Sequence, residues 1–210
     1  MQRRAFLHGI LTAKATEPLS TTLPQEVNLC FTGGERIRPR HDWQEDVLPV
    51  PGHSRVHLAL YDRSHRAAFI AGAVHGRGCP QAASGMALPV TYCYVDAHLL
   101  TLRLIEDLPI DTLYTAHLPT MPGGEISDFF AGSRLTLKAF DEVLLASLQR
   151  NPYGQAFAQL IDTIVKASGD CPKDNLFFAI LPAKRRMDQL VEWGKVGLVS
   201  DQRPLRGVTA

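Results

Sequence analysis

A histidine delivered by a Pro-Gly turn, with an alternating apolar run directly behind it, constrains this chain more than any other stretch. It reads Pro51-Gly52-His53-Ser54-Arg55-Val56-His57-Leu58-Ala59-Leu60-Tyr61. Proline fixes φ and glycine admits backbone that other residues avoid, so the pair predicts a tight reversal. Val56, Leu58 and Leu60 then alternate with His57, Ala59 and Tyr61, the period of a strand with two unlike faces. A polar side chain at the mouth of a turn, held by a strand behind it, is a common way to build a site. The question this stretch poses is which residues complete a site around His53.

The pattern on either side predicts an α/β order. Upstream, Glu26-Val27-Asn28-Leu29-Cys30-Phe31 alternates as a strand. Thr32-Gly33-Gly34-Glu35 then reads as a hairpin turn, with Ile37 opening the return strand. Downstream, Asp62-Arg63-Ser64-His65-Arg66 is a polar turn. Ala67-Ala68-Phe69-Ile70-Ala71 is a short apolar strand that ends in a glycine-rich loop, Gly72-Ala73-Val74-His75-Gly76-Arg77-Gly78. Residues 80–95 read as loop. Ala97, Leu100, Leu104 and Leu108 recur at helical spacing, with Asp96 as N-cap and Pro109 as terminator. Thr112–Ala116 reads as a strand with His117 just past its end, and Pro119, Pro122, Gly123 and Gly124 follow as a stiff loop.

From Glu125 to Arg150 an amphipathic helix is expected, broken by Asn151-Pro152. Residues 151–210 read as a helical C-terminal region. Phe157, Leu160, Ile161, Ile164 and Val165 form one helical stripe, and Asn175–Trp193 carries a second. Lys195–Val199 and Gly207-Val208 make a small hairpin. Two helices and a β wing resemble a winged helix. Lys184-Arg185-Arg186 is the one basic cluster in that region. The net charge is +1, from 22 basic and 21 acidic residues, so neither nucleic acid nor an anionic membrane is the expected partner. That balance favours a packing or dimerisation role for the tail.

The chain has 210 residues, 45% hydrophobic and 20% charged, the balance of a globular protein with room for a core. No apolar run reaches the roughly 20 residues of a membrane span. Arg3 and Arg4 precede a brief apolar stretch that His8, Gly9 and Lys14 interrupt, a poor signal peptide, and a cytoplasmic location is expected. Cys30, Cys79, Cys93 and Cys171 are widely separated and read as reduced thiols.

Three of these stretches resemble a known family. Pro51-Gly52-His53-x-x-x-His57-x-x-x-Tyr61 looks like the P-G-H-T-x-G-H turn and strand of the metallo-β-lactamase-fold hydrolases, which include glyoxalase II-like thioesterases and lactonases. Phe69-Ile70-Ala71-Gly72-Ala73-Val74-His75-Gly76 is similar to the family's F-x-G-D-x-x-x-G strand and loop. Thr115-Ala116-His117-Leu118-Pro119 looks like its last metal-binding histidine. The resemblance implies a partial αββα sandwich over residues 1–150, mainly the second half of that fold, with the helical, winged region behind it. By resemblance, His53 and His117 occupy surviving metal-ligand positions. His57, Ala73 and His75 would line the same site.

The departures bear on function. The family's H-x-H-x-D-H motif is absent from the sequence; His41-Asp42 is the nearest pairing, in the wrong place. The bridging aspartate expected after Gly72 is Ala73. A catalytic zinc takes three protein ligands and keeps one open position, which two imidazoles do not supply. The expectation is therefore a degenerate metal site without a cofactor in the isolated chain, and little or no hydrolase activity. The alternative is a thioester or lactone hydrolase completed by a partner subunit, holding zinc or iron. A metal-free enzyme with His53, His75 or His117 as general base is a further option. A sheet with its second layer missing would also leave apolar surface in water, at about 25 cal/mol per Å². A homo-oligomer, a hetero-partner or a rearranged N-terminal segment is expected to cover it, and a small molecule is a further candidate ligand.

Overall fold

A computed structural model describes residues 29–80, 87–88, 92–167, 176–198 and 206–209. Its frame is a six-stranded sheet. In chain order the strands are β1 (Arg36–Arg40), β2 (Trp43–Pro49), β3 (Leu58–Asp62) and β4 (Ala67–Ala71), then β5 (Cys79–Pro80), β6 (Ala87–Leu88), β7 (Thr112–Thr115) and β8 (Met121–Pro122). The order across the sheet is β1-β2-β3-β4-β7-β8, and β5 and β6 pair separately. Every neighbour in the large sheet is antiparallel except β4 and β7, which run parallel.

That one parallel pair positions the site. The C-terminal ends of β4 and β7 lie at the same end of the sheet, and β3, antiparallel to β4, begins there. His57, His75 and His117 therefore leave the sheet on one side, although they are far apart in sequence. The crossover between β4 and β7 carries α1 (Val95–Glu106), as a parallel connection requires. Asp62, Arg66 and Asp111 stand at the opposite end, where the Asp111 N–H donates to the Arg66 carbonyl.

The core over this sheet comes from the inward residues of β3, β4 and β7, namely Ala59, Tyr61, Ala68, Ile70 and Leu113. They pack with Leu102 and Ile105 of α1 and Ile126, Phe129 and Phe130 of α2 (Gly123–Gln149). On the other face, Phe69 and Tyr114 stack 4.5 Å apart, and Tyr114 is partly exposed. The second half of α2 serves another core. Leu137, Phe140, Leu144 and Leu148 pack with Leu160 and Ile164 of α3 (Phe157–Ala167) and with Leu190 of α4 (Leu176–Glu192). After α4, β10 (Val196–Leu198) and β11 (Arg206–Thr209) pair antiparallel, and β9 (Gln155–Ala156) adds a third strand beside β11. No helix among the described residues is long and apolar enough to cross a membrane.

Several sequence expectations need correction. Leu29–Phe31 is not a strand, and residues 26–28 lie outside the described residues. The hairpin turn falls at His41-Asp42, between β1 and β2, and the Thr32–Glu35 stretch has a different role. There the Glu35 carboxylate accepts from the Thr32 and Gly33 N–H groups, which pins the entry to β1. Strand β3 starts at Leu58, so Val56 is not in it and is 83% exposed. Asp96 does not cap α1. The N-cap is Tyr94, and Asp96 sits in the first turn, where a carboxylate complements the helix dipole. The period of α1 is helical, but the buried face is His98, Thr101, Leu102 and Ile105, and Leu100 and Leu104 are exposed. Two polar residues in the inward stripe disguised its phase.

Candidate functional site

The turn ahead of β3 is closed at its base and locked at its apex. The Val50 N–H donates to the His57 carbonyl at 2.9 Å, and the Gly52 N–H donates to the Ser54 carbonyl at 3.0 Å. Gly52 has φ +146°, and a Cβ there would lie 2.7 Å from the His98 Cβ and 2.8 Å from its Cα. Its carbonyl accepts from both the Cys93 and Tyr94 N–H groups. The Thr101 hydroxyl donates to the Pro51 carbonyl. The entry to α1 and the histidine turn are thus one tied unit.

Within that frame the imidazoles meet. His53 lies 5.8 Å from His57 and 5.4 Å from His75, ring centre to ring centre, both edge-on. His75 lies 5.6 Å from His117. A Cβ on Gly72 would lie 3.4 Å from the His75 Nε2 and 3.9 Å from the His57 Cε1, so the glycine leaves room for both rings. Ala73, next along, is fully buried. The structure thus brings His53, His57, His75 and His117 together, with Ala73 on the buried side of the same loop. His41 stands apart in the β1–β2 turn. His65 is held in the polar turn by the Asp62 carboxylate at 2.7 Å.

Two further residues pack against this histidine cluster, and local pattern does not single them out. Tyr92 stacks on His75 at 5.5 Å and on His98 at 3.5 Å, and its hydroxyl accepts from the His75 backbone N–H at 2.6 Å. His98 is fully buried. The signal for it was the spacing His98, Leu102, Ile105, which puts a histidine in line with an apolar stripe.

Burial favours the neutral form of three of these rings, His57, His75 and His98. Burial lowers the pKa of His75 to about 4, and the charges of His53, His117 and His57 push the same way. Burial lowers His98 to about 3, with His75, Arg134 and His53 adding to the effect and the Ala73 backbone opposing it. His57 is lowered by burial and by His53, against a contact with the Ile70 backbone. Neutral imidazoles can accept a proton or a hydrogen bond, and they are good ligands for borderline metals.

Among the described residues no group of three or more His, Cys, Asp or Glu side chains is placed to hold a metal ion, and the position after Gly72 carries a methyl group.

No protein-family model matches the sequence, and no curated protein does. Solved structures do match. A metallo-beta-lactamase family protein from Thermus thermophilus superposes with a TM-score of 0.69 at 18% identity, over 100% of this chain and 65% of its own. A beta-lactamase domain protein from Burkholderia ambifaria gives 0.66 at 16% identity, over 90% of this chain and 53% of its own. This chain shares their fold. It spans less than two thirds of the length of either structure.

Proposed function

We propose that this chain is a metallo-β-lactamase-superfamily protein with a degenerate metal site, one that binds a small molecule at its histidine pocket and has little or no hydrolase activity alone. The observation that carries this reading is Ala73. By resemblance the family places a bridging carboxylate there, and this chain places a methyl group, buried in the apolar core, in the loop between Gly72 and His75. A hydrolytic centre needs a polarising ion and an oriented nucleophile, and the present donor set favours neither. Neutral, closely packed rings suit a pocket that takes hydrogen bonds from a ligand. Metal analysis of the chain purified without chelator tests the reading. Well under half an equivalent of zinc or iron is expected, and more than about half an equivalent, tightly held, would sink it.

A second reading has its own support. His53, His57, His75 and His117 come from three segments and still meet, which suits a site awaiting missing ligands from a partner subunit. That partner would cover the outer face of the sheet, where Tyr114 stacks on Phe69 and meets solvent. In this reading the complex hydrolyses a thioester or lactone with zinc or iron. Absence of any partner on native co-purification, or an intact complex inert toward simple thioesters and lactones, would remove it.

A further inference from the structure

Two arginines converge on one tyrosine beside the histidine turn. The guanidinium carbon of Arg55 lies 4.9 Å from the centre of the Tyr94 ring, and that of Arg185 lies 5.5 Å from it. Each gains from the ring's quadrupole. One ring therefore gathers two like charges, whose separation cannot exceed the sum of those two distances.

Among the described residues, neither Arg55 nor Arg185 forms an ion pair. Their neighbours differ. Lys184 is bound by Asp188, and Arg186 by Asp141 and Gln189. The basic run at 184–186 thus dissolves into two satisfied cations and one that turns to Tyr94. Asp96, two residues beyond Tyr94, pairs with neither arginine.

Their position ties them to the pocket. Arg55 stands in the turn two residues from His53 and two from His57. Tyr94 is bound through its N–H to Gly52 of the same turn. Arg185 arrives from α4 and also acts on Cys93, where its charge opposes the rise that burial gives the thiol's pKa. The turn, the start of α1 and α4 thus assemble a cationic patch that no single segment contains.

We propose that Arg55 and Arg185 form an anion clamp next to the histidine pocket, and that the pocket's ligand is a small molecule bearing a carboxylate or phosphate group. A guanidinium presents paired N–H donors that match either oxyanion. An oxyanion held between the two arginines replaces their repulsion with two attractions. The clamp holds the charged end, and the imidazoles face the remainder of the molecule. This rests on the reading that the histidine cluster takes a small molecule, and is independent of whether that cluster ever holds a metal.

The test uses the full chain, stripped with 1,10-phenanthroline and dialysed so that no bound metal supplies an anion site. The 15N-labelled protein is titrated with inorganic phosphate and, separately, with acetate, at fixed ionic strength. The Nε–Hε resonances of Arg55 and Arg185 should move together on one saturable curve with at least one anion. The anion that saturates names the ligand's charged group. Arg55→Ala and Arg185→Ala, both at exposed positions, should each weaken the apparent affinity about tenfold or more. Arg150→Ala, at the end of α2, should leave it unchanged. Shifts linear in concentration with both anions, or a curve that survives both clamp variants, overturn the proposal.

Discussion

Strands β3 and β4 have two ends, and the ends treat ionisable groups in opposite ways. At the turn end, Asp62 is buried, and burial alone would raise its pKa. The Ser64 hydroxyl, the Ser64 and His65 N–H groups and the His65 ring outweigh that and hold its carboxyl well below the usual range. Asp46, one strand over, is lowered in the same way by Arg36 and Arg63. Asp62 and Asp46 have their donors, while Glu45 beside them is buried and its carboxyl is pushed up by burial and by Asp62. At the pocket end, His75 and His98 are buried among other histidines, and burial keeps them neutral. Around Asp62 and Asp46 the turn end is a satisfied structural network. The pocket end places polar groups in a buried site where they can meet a ligand.

The sharpest way to break this contrast is Gly52→Ala. Its Cβ would meet the backbone of His98 at a φ hostile to side chains. We expect a loss of about 3–5 kcal/mol, read by urea unfolding. Gly34→Ala, also at positive φ but with nothing within 4 Å, should cost far less and isolates the backbone strain.

Acid should reach the pocket end first. The folded pKa values of His75 and His98 are depressed to about 4 and about 3, below the unfolded value of roughly 6.5. Below pH 6.5 the unfolded chain binds protons that the native chain refuses, so stability present above that pH drains as pH falls. The loss from pH 7 to pH 5 should be on the order of 2–4 kcal/mol, measured by denaturation at each pH. His98→Leu should flatten the slope. Asp62 behaves likewise in a lower window: its folded pKa is depressed, so its contribution stands above about pH 4 and is lost only as pH falls further.

At the turn end, Asp62→Ala should cost about 2 kcal/mol at pH 7 by leaving the Ser64 and His65 donors without their acceptor. The pocket's acid response should be untouched. The smallest effect belongs to Ala71, which closes β4 at φ +47°, beside the irregularity in the β4–β7 register. Ala71→Gly should raise stability by about 1 kcal/mol, a modest shift in the unfolding midpoint. No gain would mean that the backbone bears little strain at the pocket end.

Much of this was legible in the sequence. The Pro-Gly turn, the short strands, the α2 helix and the histidines at strand ends follow from local pattern. The fold resemblance rested on three short motifs in order, and the superpositions bear out the fold. What local pattern could not carry was pairing. The position of β7 next to β4 depends on a crossover, so the meeting of His75 and His117 was implied only by resemblance. The inward face of α1 was misread because His98 and Thr101 occupy positions where apolar residues were sought. Arg55 and Arg185 share a ring that neither one's neighbours in sequence announce.

The parallel pairing of β4 and β7 carries one more consequence. His75 and His117 follow adjacent strands, which the ladder holds about 4.8 Å apart, but His75 stands four residues beyond β4 and its N–H is held by Tyr92, so its place depends on the long excursion between the two strands as well as on the sheet. Tyr92 and His98 belong to that excursion. The sheet sets where His117 leaves β7, while Tyr92 sets His75 in its loop, so a change between β5 and the start of α1 would reach the histidine cluster through that hydrogen bond.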